Sequence, residues 1–191
     1  MAHFGVLALQ GDFLEHAVIL RRLGHTVAEV RKPEQLAGLQ GLIIPGGEST
    51  TIDELVRAFD LQAPIRERIA AGLPVYGSCA GMIMLADRIA DARPDQETLG
   101  GLDITVRRNA FGRQVDSFEE DLHIRELGGE PVRAVFIRAP WVEDAGESVQ
   151  VLARVEPDVN QARDLSQVKN SVHESEITLN EAKRTYERNQ G

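Results

Sequence analysis

Over the first 155 residues, short apolar runs closed by glycine alternate with stretches of helical period, and that alternation narrows the fold more than any other feature. Residues 4–9 read as a buried strand that Gly11 ends. Phe13, Ala17, Leu20 and Leu23 then recur at helical spacing, and Gly24 suits the C′ position that stops a helix. Residues 27–30 and 42–44 predict two further strands, the second closed by Pro45, Gly46 and Gly47. Helical patterns follow over 51–58 and 63–71, then a strand over 74–77 and a helix over 80–89. Strands alternating with helices predict a sheet covered on both faces, so the expected class is α/β, three-layer, with a mostly parallel central sheet. Residues 104–107, 132–137 and 149–155 read as later strands; few helices separate them, so part of the sheet is expected to be antiparallel or mixed.

The grammar changes near Pro157. Sixteen of the 17 glycines lie before residue 156, which sets a boundary there: an α/β domain over 1–155 and a divergent, helical tail over 156–191. In the tail Leu165, Val172, Leu179 and Tyr186 take heptad position a, with Val168, Ser175 and Ala182 at d. That spacing predicts an amphipathic helix over 158–188 with His173 off its apolar face. Lys plus Arg is 21 against 30 Asp plus Glu, a net charge of −9, which argues against a nucleic-acid surface. No apolar run approaches the about 20 residues that span a bilayer. The start, Met1-Ala2-His3-Phe4, lacks the basic and apolar regions of a signal peptide, so a soluble cytoplasmic protein is expected, without membrane contact.

The single cysteine, Cys79, excludes an internal disulfide and a multi-cysteine zinc site; no metal and no cofactor are expected. Cys79 lies in GSCAG, residues 77–81, between a predicted strand and a predicted helix, the layout of a nucleophile elbow with cysteine in place of serine. A sharp turn lifts the side chain out of the sheet, and small neighbours let substrate and backbone approach. The helix N-terminus that follows favours a thiolate and helps hold an oxyanion. A lone cysteine is more often a buried structural residue; the glycines on both sides favour the nucleophile. A second turn, PGGES over 45–49, also follows a strand at its C-terminal end, where open α/β sheets bind ligands. Its glycines leave N–H groups free for a developing oxyanion, and Glu48 can bind an amino group. The plainer alternative is a connecting loop with Ser49 or Thr50 as helix cap.

Six motifs then occur in order: GVLALQG over 5–11, Glu15-His16, PGGESTT over 45–51, GSCAG over 77–81, RNAFGRQVDSF over 108–118 and FIRAP over 136–140. Together they resemble the glutaminase subunits of pyridoxal 5′-phosphate synthases, which are class I glutamine amidotransferases, over about residues 4–155. The resemblance implies hydrolysis of L-glutamine to glutamate and ammonia, with Cys79 attacking the side-chain amide to give a γ-glutamyl thioester. It implies an oxyanion hole from the Gly46 and Gly47 turn and the backbone N–H of Ala80. It places Gly47, Glu48, Ser49, Arg108, Ile137 and Arg138 around the glutamine. An arginine suits the α-carboxylate and Glu48 the α-ammonium; Arg108 and Arg138 are both open for the first role. The implied partner is a synthase subunit that receives the ammonia for vitamin B6 biosynthesis, and the segment Gln10-Gly11 lies where the family remodels its oxyanion region on docking.

The chain departs from the family in one respect: the family completes its triad with His-Pro-Glu, and no His-Pro-Glu occurs here. His173, in SVHESE over 171–176, is the nearest candidate, but the heptad places it on the solvent face. His3, His16, His25 and His123 are weaker substitutes, and His16 is assigned to structure or docking. The leading reading is a glutaminase. The alternative is a non-catalytic relative that docks or binds glutamine without a complete Cys-His-Glu triad. A cysteine hydrolase of another family is disfavoured by the segments at 108–118 and 136–140.

Overall fold

The computed structural model describes residues 1–108, 118–124, 127–128 and 130–155. The predicted helical tail, with His173, and most of the motif at 108–118 lie outside the described residues. In chain order the elements are β1 (His3–Leu7), α1 (Phe13–Arg22), β2 (Thr26–Val30), a 3₁₀ turn (Pro33–Leu36), β3 (Gly41–Ile44), α2 (Ser49–Ala58), α3 (Gln62–Ala70), β4 (Val75–Gly77) and α4 (Ala80–Leu85). They continue with β5 (Ala86–Ile89), β6 (Leu102–Arg107), β7 (Phe118–Leu122), β8 (Val132–Phe136) and β9 (Trp141–Ala145). The chain forms two compact units, one of Met1–Arg108 with Val142–Val149, the other holding the described residues of 118–141 and 150–155.

In the first unit four strands form a parallel sheet in the order β2-β1-β3-β4. The chain leaves β1 towards β2 on one side and later steps from β3 to β4 on the other. The order therefore reverses between β1 and β3, which is a topological switch point. Right-handed crossovers put α1 on one face and the helices between β3 and β4 on the opposite face, giving the three layers the sequence predicts. The core follows from the pattern. Val6, Leu7, Val30, Leu42 and Ile44 are buried in the strands, and α2 turns Ile52 and Val56, four residues apart, into one cluster with Leu7, Val30, Leu42 and Ile44. Each such side chain contributes about 2 kcal/mol by leaving water. Helix α1 ends as expected: Gly24 has φ +83°, its N–H donates to the Arg21 carbonyl, and the His25 N–H donates to that of Leu20. Leu23, read as part of the apolar stripe, is instead exposed, as are Leu14, Val18 and Ile19; only Ala17 of this helix is fully buried.

A three-stranded sheet, β5-β6-β9, completes this unit, with β5 and β6 parallel. Here the sequence reading needs two corrections. The helix predicted over 80–89 stops at Leu85, and Ala86–Ile89 is strand β5. The run is apolar enough for either state. The pairings Ala86↔Leu102, Arg88↔Thr105 and Ile89↔Val106 decide it, because β6 offers backbone partners that a longer helix would forfeit. The strand predicted over 149–155 is irregular; Val149 packs on the small core beside Ile104 and Val106, whereas Val151 and Leu152 are exposed. The strand that joins β6 is β9, which was not anticipated.

The second unit, taken by itself, contains the antiparallel pair β7 and β8, in register from Phe118↔Phe136 to Leu122↔Val132. The Phe118 and Phe136 rings stack with centroids 4.7 Å apart. Glu119, Glu120 and Asp121 hid β7 from the sequence reading; Arg133 on β8 meets Glu119 Oε2 and Asp121 Oδ1, each at 3.0 Å, and offsets that charge. Among the described residues no helix is long and apolar enough to cross a membrane.

A candidate cysteine nucleophile at two neighbouring strand ends

Strand β4 ends at Gly77 and α4 begins at Ala80, so Ser78 and Cys79 make the whole turn. Cys79 has φ 48° and ψ −108° and is exposed. That backbone costs of order 1–3 kcal/mol for a residue with a side chain and persists only where the surroundings impose it. Backbone bonds impose it here. The Ser78 N–H donates to the Ile44 carbonyl at 3.2 Å, the Gly81 N–H to that of Ser78 at 2.7 Å, and the Ile83 N–H to that of Cys79 at 3.2 Å. Gly81 is pressed so closely on β3 that a Cβ there would overlap the Ile44 carbonyl, which is why glycine stands two residues after the cysteine.

The register pair Ile44↔Gly77 sets the β3 turn beside this elbow. Gly46 and Gly47 form the bend, and α2 starts at Ser49. The helix cap is Glu48, not Ser49 or Thr50: its carboxylate accepts from the Thr51 N–H at 2.7 Å, the Thr50 hydroxyl at 2.7 Å and the Thr51 hydroxyl at 3.1 Å. Ser49 is buried, and its hydroxyl accepts from Gln96 Nε2 at 3.3 Å. The loop after β1 closes over the turn. Gln10 Oε1 accepts the Glu48 N–H at 2.9 Å and its carboxamide lies against Gly47. Gly11, at φ +91°, lets the backbone pass against the Gly46 carbonyl, which accepts the Asp12 N–H at 3.2 Å. One turn along α1, His16 Nε2 and the Ser78 hydroxyl share a hydrogen bond of 3.3 Å.

Behind the turn α2 is pinned from its buried side. Asp53, 1% exposed, receives Arg57 Nε at 3.0 Å and Nη2 at 2.8 Å, and the Glu97 N–H at 3.1 Å. The Asp53 hydrogen bond holds the Arg57 guanidinium above its ordinary pKa. Glu97 itself accepts from Gln62 and Arg66, and those bonds, Gln62 first, hold its carboxyl below the usual range.

Of the residues singled out in the sequence, Gly46, Gly47, Glu48, Ser49, Cys79 and Ala80 lie on these two adjacent strand ends. Arg108 follows β6 in the other sheet. Its N–H donates to Asp91 Oδ1 at 3.0 Å and its Nη2 to the Asp91 carbonyl at 2.9 Å, while the buried Nε makes no hydrogen bond. Ile137 and Arg138 belong to the second unit; Ile137 is exposed, and Arg138 has φ 47°. The resemblance sets Gln10 by the oxyanion region and His16 in structure or docking without naming a contact for either, and sequence reasoning left Asp12 without a place; the structure gives all three their partners. Their partners stand 34 to 62 positions away, and no local pattern marks such contacts. Among the described residues no group of three or more His, Cys, Asp or Glu could hold a metal ion.

Comparison with known proteins bears on the family and the fold. The sequence model of the SNO glutamine amidotransferase family matches residues 6–187. A pyridoxal 5′-phosphate synthase subunit PdxT from Kineococcus radiotolerans is 65% identical over 153 residues, covering 79% of this chain and 74% of the relative. One from Acidothermus cellulolyticus is 64% identical, covering 79% and 73%. A crystal structure of a glutamine amidotransferase superposes with a TM-score of 0.73 at 52% identity, covering 80% of this chain and 79% of the other. PurLQS from Thermotoga maritima, at 16% identity and a TM-score of 0.56, shares the fold.

Proposed function

Because the chain belongs to the SNO glutamine amidotransferase family, we propose that it is a glutaminase that hydrolyses L-glutamine and supplies the ammonia for pyridoxal 5′-phosphate synthesis. The observation that carries this reading is the Cys79 elbow, strained at φ 48° and exposed at the end of β4, beside the Gly46 and Gly47 turn at the end of β3. In the proposed reaction the Cys79 sulfur attacks the glutamine Cδ. The oxyanion that forms is held by N–H groups of the Gly46 and Gly47 turn and of Ala80; the C–N bond breaks as the amide nitrogen takes up the proton given up by the thiol and leaves as ammonia, and water then cleaves the thioester to glutamate and restores the thiol. Glu48, Ser49, Arg108, Ile137 and Arg138 are proposed to surround the substrate. Among the described residues Glu48 Oε1 accepts only the Thr50 hydroxyl, which leaves that oxygen capacity for an ammonium group.

The proposed partner is the synthase subunit. Two features support an interface: the exposed apolar side chains Leu14, Val18 and Ile19 on α1 with Leu23 at its C-cap, and a net charge of −9 that suits a basic face. The proposed compartment is the cytoplasm, where a catalytic thiol stays reduced. The proposed division is a glutaminase-like part over 1–155 and a separate segment over 156–191; the first two relatives align over 153 and 151 residues, while the family model extends to residue 187.

One sequence observation favours a second reading. No His-Pro-Glu occurs, and an imidazole held by a carboxylate is what activates a thiol of this kind. In that reading the chain binds glutamine and docks but hydrolyses little. Glutamate release from L-glutamine, measured for the full chain with and without a synthase subunit, separates the two. Turnover that Cys79→Ala abolishes supports the glutaminase. Calorimetric binding of glutamine with no glutamate formed supports the second reading.

A further inference from the structure

The first turn of α1 touches both halves of the site. At Asp12 its backbone N–H donates to the Gly46 carbonyl at 3.2 Å, on the side of the glycine turn. At His16, four residues on, the imidazole Nε2 meets the Ser78 hydroxyl at 3.3 Å, on the side of the nucleophile. Asp12 Oδ2 also approaches His16, at 3.8 Å, but it approaches the same Nε2. A catalytic triad needs the carboxylate on the other ring nitrogen, so Ser78, His16 and Asp12 do not form one. What the contacts do is mechanical. The His16 side chain is 19% exposed and its ring meets the Tyr76 ring edge-on, with centroids 6.2 Å apart. Tyr76 sits in β4 two residues before Ser78, so β4 and the elbow both present surface to this imidazole. Ser78 immediately precedes Cys79, whose φ of 48° has to be imposed from outside the residue.

We propose that His16 is a positioning residue for the reaction at Cys79: through Ser78 it holds the elbow in place, and through its helix it fixes the elbow's distance from the Gly46 turn. The proposal rests on Cys79 being the glutaminase nucleophile. The bond it invokes is a single hydrogen bond, so its loss lowers the rate of attack about three- to tenfold. It leaves substrate affinity alone, because neither His16 nor Ser78 is among the residues assigned to the glutamine.

The test is time-resolved labelling of the full chain by a chloroketone analogue of glutamine, followed by intact-mass spectrometry over a range of concentrations. His16→Ala is expected to lower the saturating rate three- to tenfold with the half-saturating concentration unchanged. Ser78→Ala is expected to do the same, and the double variant to be no slower than either single one. His16→Gln, whose amide reaches the position of Nε2, is expected to restore most of the rate. If circular dichroism shows that His16→Ala does not fold, Ser78→Ala and His16→Gln carry the test: a Ser78→Ala protein labelled at the wild-type rate overturns the proposal. So do a His16→Ala protein labelled at the wild-type rate, losses that multiply in the double variant, and a change confined to the half-saturating concentration. A wild-type chain that the analogue does not label overturns the nucleophile reading itself, and the positioning role with it.

Discussion

The two turns that flank the candidate site lie side by side, yet they are built in opposite ways. The elbow between β4 and α4 is held largely by backbone: three main-chain hydrogen bonds and a glycine with no room for a Cβ fix Cys79 in a strained conformation. The turn between β3 and α2 has one such bond, from the Asp12 N–H to the Gly46 carbonyl, and is otherwise held by side chains. Glu48 caps its own helix, Gln10 reaches from the loop after β1 to the Glu48 N–H, and Gln96 reaches Ser49. A backbone-built site tolerates no added atoms, whereas a side-chain-built site loses one bond at a time. The comparison teaches that the nucleophile is presented by a rigid part of the molecule and the glycine turn by an adjustable one.

This difference orders the expected effects of substitution. Gly81→Ala is expected to cost most, about 2 kcal/mol of folding stability, because the new methyl group meets the Ile44 carbonyl, which cannot yield without disturbing the sheet. Urea denaturation measures it, and a loss below that of Glu48→Ala would reverse the comparison. Glu48→Ala removes the cap of α2 and is expected to cost about 1 kcal/mol in the same experiment. Gln10→Ala releases one hydrogen bond to a half-buried N–H that water can then reach, so about 0.5 kcal/mol is expected. The smallest effect belongs to Glu97→Gln, outside both turns. Its carboxyl is held below the usual range, so the stability it supplies is present above that range and fades as the pH falls through the folded value. Thermal melts should show the variant slightly below the wild type at neutral pH and level with it in acid.

Sequence legibility follows the same line. The strands of the parallel sheet were readable because each is a short apolar run with a turn at its end, and GSCAG declared the elbow because its glycines mark close backbone approaches, of Gly77 to Gly81 within the turn and of Gly81 to Ile44 on β3. Gly24 marked the end of α1 because its φ of +83° favours glycine. The family motifs marked Gln10 and His16, but their contacts were not readable, since their partners are 38 and 62 positions away. Strand β5 was lost because pairing with β6, not composition, stops the helix at Leu85. The exposure of Leu23 was lost because periodicity marks an apolar stripe without saying how wide a face the sheet covers. Of the candidate site, the two turns were legible as motifs; the cap, offered at Ser49 or Thr50 in the plainer alternative, lies at Glu48, whose longer carboxylate reaches the Thr51 N–H.

The central claim is that Cys79 is a glutamine-directed nucleophile, and intact-mass spectrometry of the full chain after incubation with the chloroketone analogue tests it most directly. The account predicts a single adduct on Cys79 whose rate saturates with reagent, slows when L-glutamine is added and vanishes in Cys79→Ala. An adduct that forms at the same rate with and without glutamine, or a Cys79→Ala protein labelled like the wild type, would contradict it.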